Sequence, residues 1–215
     1  MGLEYTSSVM PASSEHDRIR DAATATTDFL RTDSLGVSVE AMARMEAEGV
    51  LIRIAPAVYL GADVVQHPLA EAAAWTVRYP DAVVGLLTAA VYYDLTDAFA
   101  RGIWLYVAKG TSVPRSRTAT LQVVQTSPRF IEPDHDSDNG IDTVPVHGTQ
   151  LRITNQDRTV VDLWRYPRRI PREYALVALK RRVSSADFLV PRFARLAKRM
   201  GAWSSLEPVV QGLTL

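Results

Sequence analysis

The sequence contains no cysteine, which excludes disulfides and thiolate metal sites. It has no apolar run near the roughly 20 residues that a bilayer span needs. The longest, residues 82–91, stops at Tyr92-Tyr93-Asp94. The first residues lack a basic start and an apolar stretch, and Glu4 comes early, so residues 1–14 read as a flexible tail rather than a signal peptide. A cytoplasmic protein with no membrane partner is the expectation. Net charge is absent as well, with 24 Lys and Arg against 24 Asp and Glu. There is no internal repeat and no low-complexity tract. The familiar catalytic signatures are missing: no G-x-G-x-x-G, H-R-D or D-F-G for a protein kinase, and no G-x-S-x-G elbow. His16, His67, His135 and His147 have no H-x-x-x-H spacing, so no metal site is expected.

What is present is an ordinary globular composition: 215 residues, 47 % hydrophobic and 22 % charged. That suits one compact domain with a small second one. The charge is balanced in total but not in place. Residues 151–215 hold 13 Lys and Arg against 5 Asp and Glu, and the first 150 residues hold 11 against 19. A basic final third points to an anionic partner, either nucleic acid or an acidic protein face, or is a solvated surface.

The local pattern predicts an α+β protein. Glu15 to Ala23 reads as a helix, Thr26-Thr27-Asp28 as caps for a second through Leu30, and Ser38 as the cap of a third ending at Gly49. Strands over Val50–Ile54 and Val58–Leu60 flank a turn at Ala55-Pro56-Ala57. Three helices and a hairpin make a winged-helix-like part over residues 15–62. Residues 63–215 read as a mixed α/β domain. It begins with helices over His67–Arg78 and Val83–Tyr93. Strands follow over Ile103–Ala108, Leu121–Thr126, Ile141–Val146 and Leu151–Ile153, the first two joined by a polar loop that reads as a hairpin connection. Thr154 and Asp157 suggest a capping box for a helix over Arg158–Trp164. Two or three helices close the chain, with Pro191 and Pro208 at their starts.

Three segments resemble the AbiEi-type antitoxins. They are the hairpin 49–59 after its helix, the small-residue helix around Thr88-Ala89-Ala90-Val91-Tyr92, and the strand-then-helix stretch 151–163. The last carries Arg158-Thr159-x-x-Asp162-Leu163 and is the most specific. The likeness extends over about residues 15–200. One position departs from it: Ala57 stands where members often have glycine before the Val-Tyr of the wing, and alanine adopts a positive φ at a cost.

The resemblance implies an antitoxin paired with a nucleotidyltransferase toxin. Its N-terminal part would bind the operon's own promoter DNA and its C-terminal part would counter the toxin. For some members the proposed route is phosphorylation of the toxin on serine. That makes an atypical serine protein kinase, using ATP and Mg²⁺, the alternative; otherwise no cofactor is implied. A plain DNA-binding repressor is a second alternative.

The residues suggest where each role would sit. Arg44 and Arg53 are the cations best placed for DNA, on a helix whose Glu40, Glu46 and Glu48 give it an acidic face. Lys109, Arg115 and Arg117 lie in the Gly- and hydroxyl-containing loop between two strands, a candidate phosphate cradle without Walker spacing. Asp134-x-Asp136-x-Asp138-Asn139-Gly140 reads as an acidic turn rather than a calcium loop. Arg165, Arg168, Arg169, Arg172, Lys180, Arg181 and Arg182, interleaved with Trp164, Tyr166 and Tyr174, form the candidate toxin-binding face. The same set suits RNA.

Overall fold

In a computed structural model, residues 14–98, 102–112, 121–132 and 139–214 are described. The fold is α+β and divides into two compact units, residues 1–66 and 67–215.

In the first unit, α1 (Glu15–Ala25) starts at a capping box in which the Ser14 hydroxyl accepts from the Asp17 amide. α2 (Thr32–Leu35) ends at Gly36, and α3 (Val39–Ala47) is capped by Ser38, whose hydroxyl accepts from the Ala41 amide. Strands β1 (Leu51–Ala55) and β2 (Val58–Gly61) pair antiparallel. The expected second helix through Leu30 is not formed. Leu30 instead exchanges backbone hydrogen bonds with Tyr59, at 2.8 and 3.0 Å, and adds a bridge to the hairpin. Leu30 and Tyr59 are both buried, so pairing at the sheet edge satisfies its amide and carbonyl while its side chain joins Ile19, Met42, Met45 and Leu51 in the core. Ala57 takes the left-handed conformation at φ 62°.

In the second unit, α4 (Ala70–Arg78) precedes β3 (Val83–Val84) and α5 (Leu86–Tyr92). The stretch 83–93 is therefore not one helix. Val83 and Val84 form the central strand of a five-stranded sheet that also contains β4 (Ile103–Ala108), β5 (Leu121–Thr126), β6 (Ile141–Val146) and β7 (Thr149–Thr154). The order is β5-β4-β3-β7-β6, with β3–β7 and β4–β5 parallel and β3–β4 and β6–β7 antiparallel. Because β4 and β5 are parallel, the connection between them is not a hairpin, contrary to the expectation from sequence. β6 and β7 do form a hairpin. His147 and Gly148 occupy its turn at φ 44° and 75°, and Pro145 sits where a missing amide is tolerated, on the edge strand.

Four helices follow: α6 (Gln156–Arg165), α7 (Arg172–Val183), α8 (Val190–Arg199) and α9 (Trp203–Thr214). Pro191 opens α8 as expected, whereas Pro208 lies inside α9. The core gathers Leu86, Tyr106, Leu163, Leu179, Phe193 and Leu206 between these helices and the sheet. No helix among the described residues is long and apolar enough to cross a membrane.

Candidate functional site

The Arg-Thr-x-x-Asp-Leu segment lies on α6, and its side chains point inward. Helix α6 is capped by Asn155, whose side-chain oxygen accepts from the Arg158 amide at 2.9 Å. The expected capping box of Thr154 and Asp157 is therefore replaced. The Thr154 hydroxyl bonds the Thr159 hydroxyl at 2.8 Å instead. Asp157 accepts from Arg182 Nε at 2.6 Å.

Arg158 is 1 % exposed and Asp162 is fully buried. Arg158 Nε donates to Asp162 Oδ2 at 2.7 Å, and its Nη1 donates to the Asn139 carbonyl at 2.8 Å and the Phe130 carbonyl at 3.3 Å. Arg165 Nη1 donates to the other Asp162 oxygen at 2.9 Å. The guanidinium thus ties the helix to the chain just before β6, where Gly140, at φ 66°, leaves no room for a side chain. A Cβ there would sit 2.7 Å from Arg158 Cβ. The signature is the structural centre of the second unit and not its contact surface.

This arrangement sorts the seven cations assigned to the toxin-binding face. Arg168, Arg169 and Lys180 are exposed. Arg172 is also at the surface but lies over the Trp164 ring, 3.3 Å from its centroid, and donates to the Trp164 carbonyl. Arg165 is held between Asp162 and the Phe130 ring. Arg181 bonds the Asp94 carbonyl and pairs with Asp97. The Asp97 bond lowers that carboxyl's pKa, and the same bond raises the pKa of Arg181. Arg182 does not belong on the face at all. It is 2 % exposed and joins Asp157 to Asp187 and Ser185, because a guanidinium on the inner side of α7 needs carboxylates around it to be buried.

Sequence reasoning missed Asp94, Asp97 and Asp187 as the partners of these cations. Only Asp187, five residues beyond Arg182, was within reach of a spacing argument. The aromatic interleaving was legible: Tyr166 is half-buried near Tyr106, and burial, followed by the Asp162 charge, raises its pKa.

Lys109 is exposed at the end of β4, and its amide donates to the Thr126 carbonyl. Arg115 and Arg117, and Asp134, Asp136 and Asp138 of the acidic turn, lie outside the described residues. Among the described residues no group of His, Asp or Glu side chains is arranged to hold a metal ion.

In the first unit, Arg44 is exposed on α3 with its Nη1 3.3 Å from His16 Nε2. Arg53 is exposed on β1, pairs with Glu46 and lies over the Tyr59 ring. Arg20 pairs with Glu48 at 2.9 Å. Of the three carboxylates Glu40, Glu46 and the C-cap residue Glu48, the last two are thus matched by cations, which reduces the acidity of that face. The Arg53 charge is spent on Glu46 in the process.

No known family profile matches the chain, and no curated protein does. Among solved structures, the chain is similar to Rv2827c of Mycobacterium tuberculosis, with a TM-score of 0.57 and 14 % sequence identity over 86 % of this chain and 72 % of that one. At that identity the likeness shows the shared α+β fold alone.

Proposed function

We propose that this chain is an antitoxin of the AbiEi type that neutralises a nucleotidyltransferase toxin through its 67–215 unit. The observation that carries the reading is how the Arg158-Thr159-x-x-Asp162-Leu163 segment is used. The most specific part of the resemblance is also the buried hub of that unit, with Arg158, Thr159, Asp162 and Leu163 each at most 1 % exposed. A segment built into the fold accounts for a signature that carries no catalytic chemistry.

Around that hub, Arg168 and Arg169 occupy the connection between α6 and α7, and Lys180 the solvent side of α7. Nucleotidyl transfer depends on carboxylate-held Mg²⁺ and an anionic nucleotide. A cationic face suits such an acidic surface and steers association with it.

The first unit takes the operator-binding role in this reading. Arg44 is its principal groove cation, and the paired carboxylates of α3 leave the binding weak and salt-sensitive. A gel shift with the chain's own upstream DNA tests that role, and absence of a salt-sensitive complex removes it.

The reading requires a nucleotidyltransferase encoded beside this chain's gene, and neutralisation is tested by mixing the chain with that protein, ATP and Mg²⁺ and weighing the transferase. A stable stoichiometric complex of unchanged mass is expected. A gain of about 80 Da at catalytic amounts of this chain replaces the binding antitoxin by the kinase reading. Absence of both a complex and a mass change removes the toxin reading.

A further inference from the structure

The two edges of the five-stranded sheet are not alike. β6 carries Asp142 and Pro145, the kinds of residue that discourage a further strand from adding to an edge. β5, Leu121-Gln122-Val123-Val124-Gln125-Thr126, carries neither a charge nor a proline. Among the described residues it pairs with β4 alone. A strand that ends a sheet in this way presents a row of backbone donors and acceptors to whatever can pair with them.

The register shows which groups these are. Along a strand the amide and carbonyl of one residue point to one side, and those of the next residue to the other. The Lys109 amide donates to the Thr126 carbonyl at 2.9 Å, so Thr126 faces β4, and with it Val124 and Gln122. Leu121, Val123 and Gln125 therefore direct their amides and carbonyls away from the sheet. The Val123 carbonyl agrees with this, since the group that reaches it from outside is Nη1 of Arg169, at 3.5 Å. That is longer than an ordinary N–H···O bond. Arg169 is exposed and follows exposed Arg168 in the connection between α6 and α7. The open edge thus runs beside two of the cations assigned to the toxin.

Charge selects the occupant. A second copy of this chain, paired antiparallel across the edge about a two-fold axis near Val123, would bring the Arg169 guanidiniums of both copies to one junction. Like charges there oppose pairing. An extended segment carrying Asp or Glu meets no such opposition. Its amide takes the Val123 carbonyl at ordinary hydrogen-bond length. The displaced Arg169 guanidinium turns to its carboxylate, in a charge-assisted bond stronger than the one it leaves. The six residues of β5 offer about 20 Å of such contact.

We propose that the β5 edge is the docking strip for an acidic, extended segment of the nucleotidyltransferase. The segment adds to the five-stranded sheet as a further strand, with its backbone on Leu121, Val123 and Gln125 and its carboxylates on Arg168 and Arg169. The proposal rests on the antitoxin reading and gives it a mode of recognition. Main-chain hydrogen bonds supply affinity, and the arginines select acidic residues.

The test is residue-resolved amide hydrogen exchange of the full chain, alone and with the nucleotidyltransferase that the reading requires beside its gene, together with growth rescue by the same pair. In the free chain the outward amides of Val123 and Gln125 are expected to exchange about tenfold or more faster than that of Val124. In the complex they should slow by about tenfold or more relative to Val124. Val123→Pro removes an outward amide, a change that an edge strand tolerates, and should weaken the complex about tenfold. Val123→Ala keeps the amide and should bind as the wild type does. If Val123→Pro loses the native circular dichroism spectrum, the exchange pattern of the wild type decides alone. Rescue without the alternating protection overturns the docking strip and leaves the antitoxin reading standing. Absence of such a gene, or of both rescue and protection, overturns both. Unweakened binding by a folded Val123→Pro, or dimerisation of the chain through this edge, also contradicts the proposal.

Discussion

Arg158 and Asp162, one helical turn apart on α6, form an ion pair of 2.7 Å with side chains 1 % and 0 % exposed. Removing one partner leaves an uncompensated buried charge, whereas replacing both by apolar groups does not. Asp162→Asn is expected to destabilise the 67–215 unit by about 3–5 kcal/mol, and the double change Arg158→Met with Asp162→Leu by clearly less. Urea unfolding of the three proteins checks the order. Equal losses in the single and double variants would show that the pair is not what the segment contributes.

Ala57 holds φ 62° in the turn between β1 and β2. A left-handed conformation costs an L-residue roughly 1–2 kcal/mol, part of which glycine returns as chain entropy. Ala57→Gly is expected to stabilise the first unit by about 0.5–1 kcal/mol. The melting temperature of that unit reads the effect, and a fall on substitution would mean the turn is not strained.

Glu15 joins the starts of α1 and α3, since its carboxylate accepts from the Ser38 amide at 3.0 Å and the Ser38 hydroxyl at 2.7 Å. The hydroxyl bond is the first cause of a pKa held below the ordinary 4.5. A carboxyl lowered on folding stabilises the folded state above its unfolded pKa, and that contribution fades as pH falls through the folded value. Wild type should therefore be more stable than Glu15→Gln at neutral pH. The difference should shrink below about pH 4.5 and vanish in stronger acid. A gap independent of pH between 7 and 3 would contradict the assignment.

The Arg172 guanidinium lies over the Trp164 ring, 3.3 Å from its centroid, and the Trp164 indole donates to the Ser205 hydroxyl at 2.9 Å. Arg172→Ala is expected to cost about 0.5–1 kcal/mol and to change the tryptophan emission. Arg172→Lys should recover only part of either effect, because an ammonium lacks the planar stacking of a guanidinium. Unaltered emission in both variants would remove Arg172 from the packing.

The sequence made some of these elements legible and hid others for identifiable reasons. Ser38 marked the start of α3 because its hydroxyl has a local task. The apolar run 103–108 and the Val-rich segment 121–126 were equally clear as strands, though their mutual direction was not, since residue composition does not separate a parallel pair from an antiparallel one. β3 was hidden because Val83 and Val84 run straight into the apolar residues of α5, and so short a strand has no period of its own. Leu30 was read into a helix because its partner Tyr59 lies on a distant hairpin. The cluster of Lys180, Arg181 and Arg182 looked like one basic patch. On a helix consecutive residues face different ways, so Lys180 is exposed, Arg181 reaches Asp94 and Asp97, and Arg182 is buried on Asp157.

The most direct test of the antitoxin reading is growth rescue during co-expression with a nucleotidyltransferase encoded beside this chain's gene, which the reading requires. Wild type is compared with a variant carrying Arg168→Glu, Arg169→Glu and Lys180→Glu, three exposed cations outside the buried network. Away from such networks, surface changes stay within about 0.5 kcal/mol each, so the variant should fold and melt as the wild type does. Wild type is expected to restore growth and the variant to fail. Rescue by the folded variant equal to that of the wild type would contradict the account, as would no rescue by the wild type.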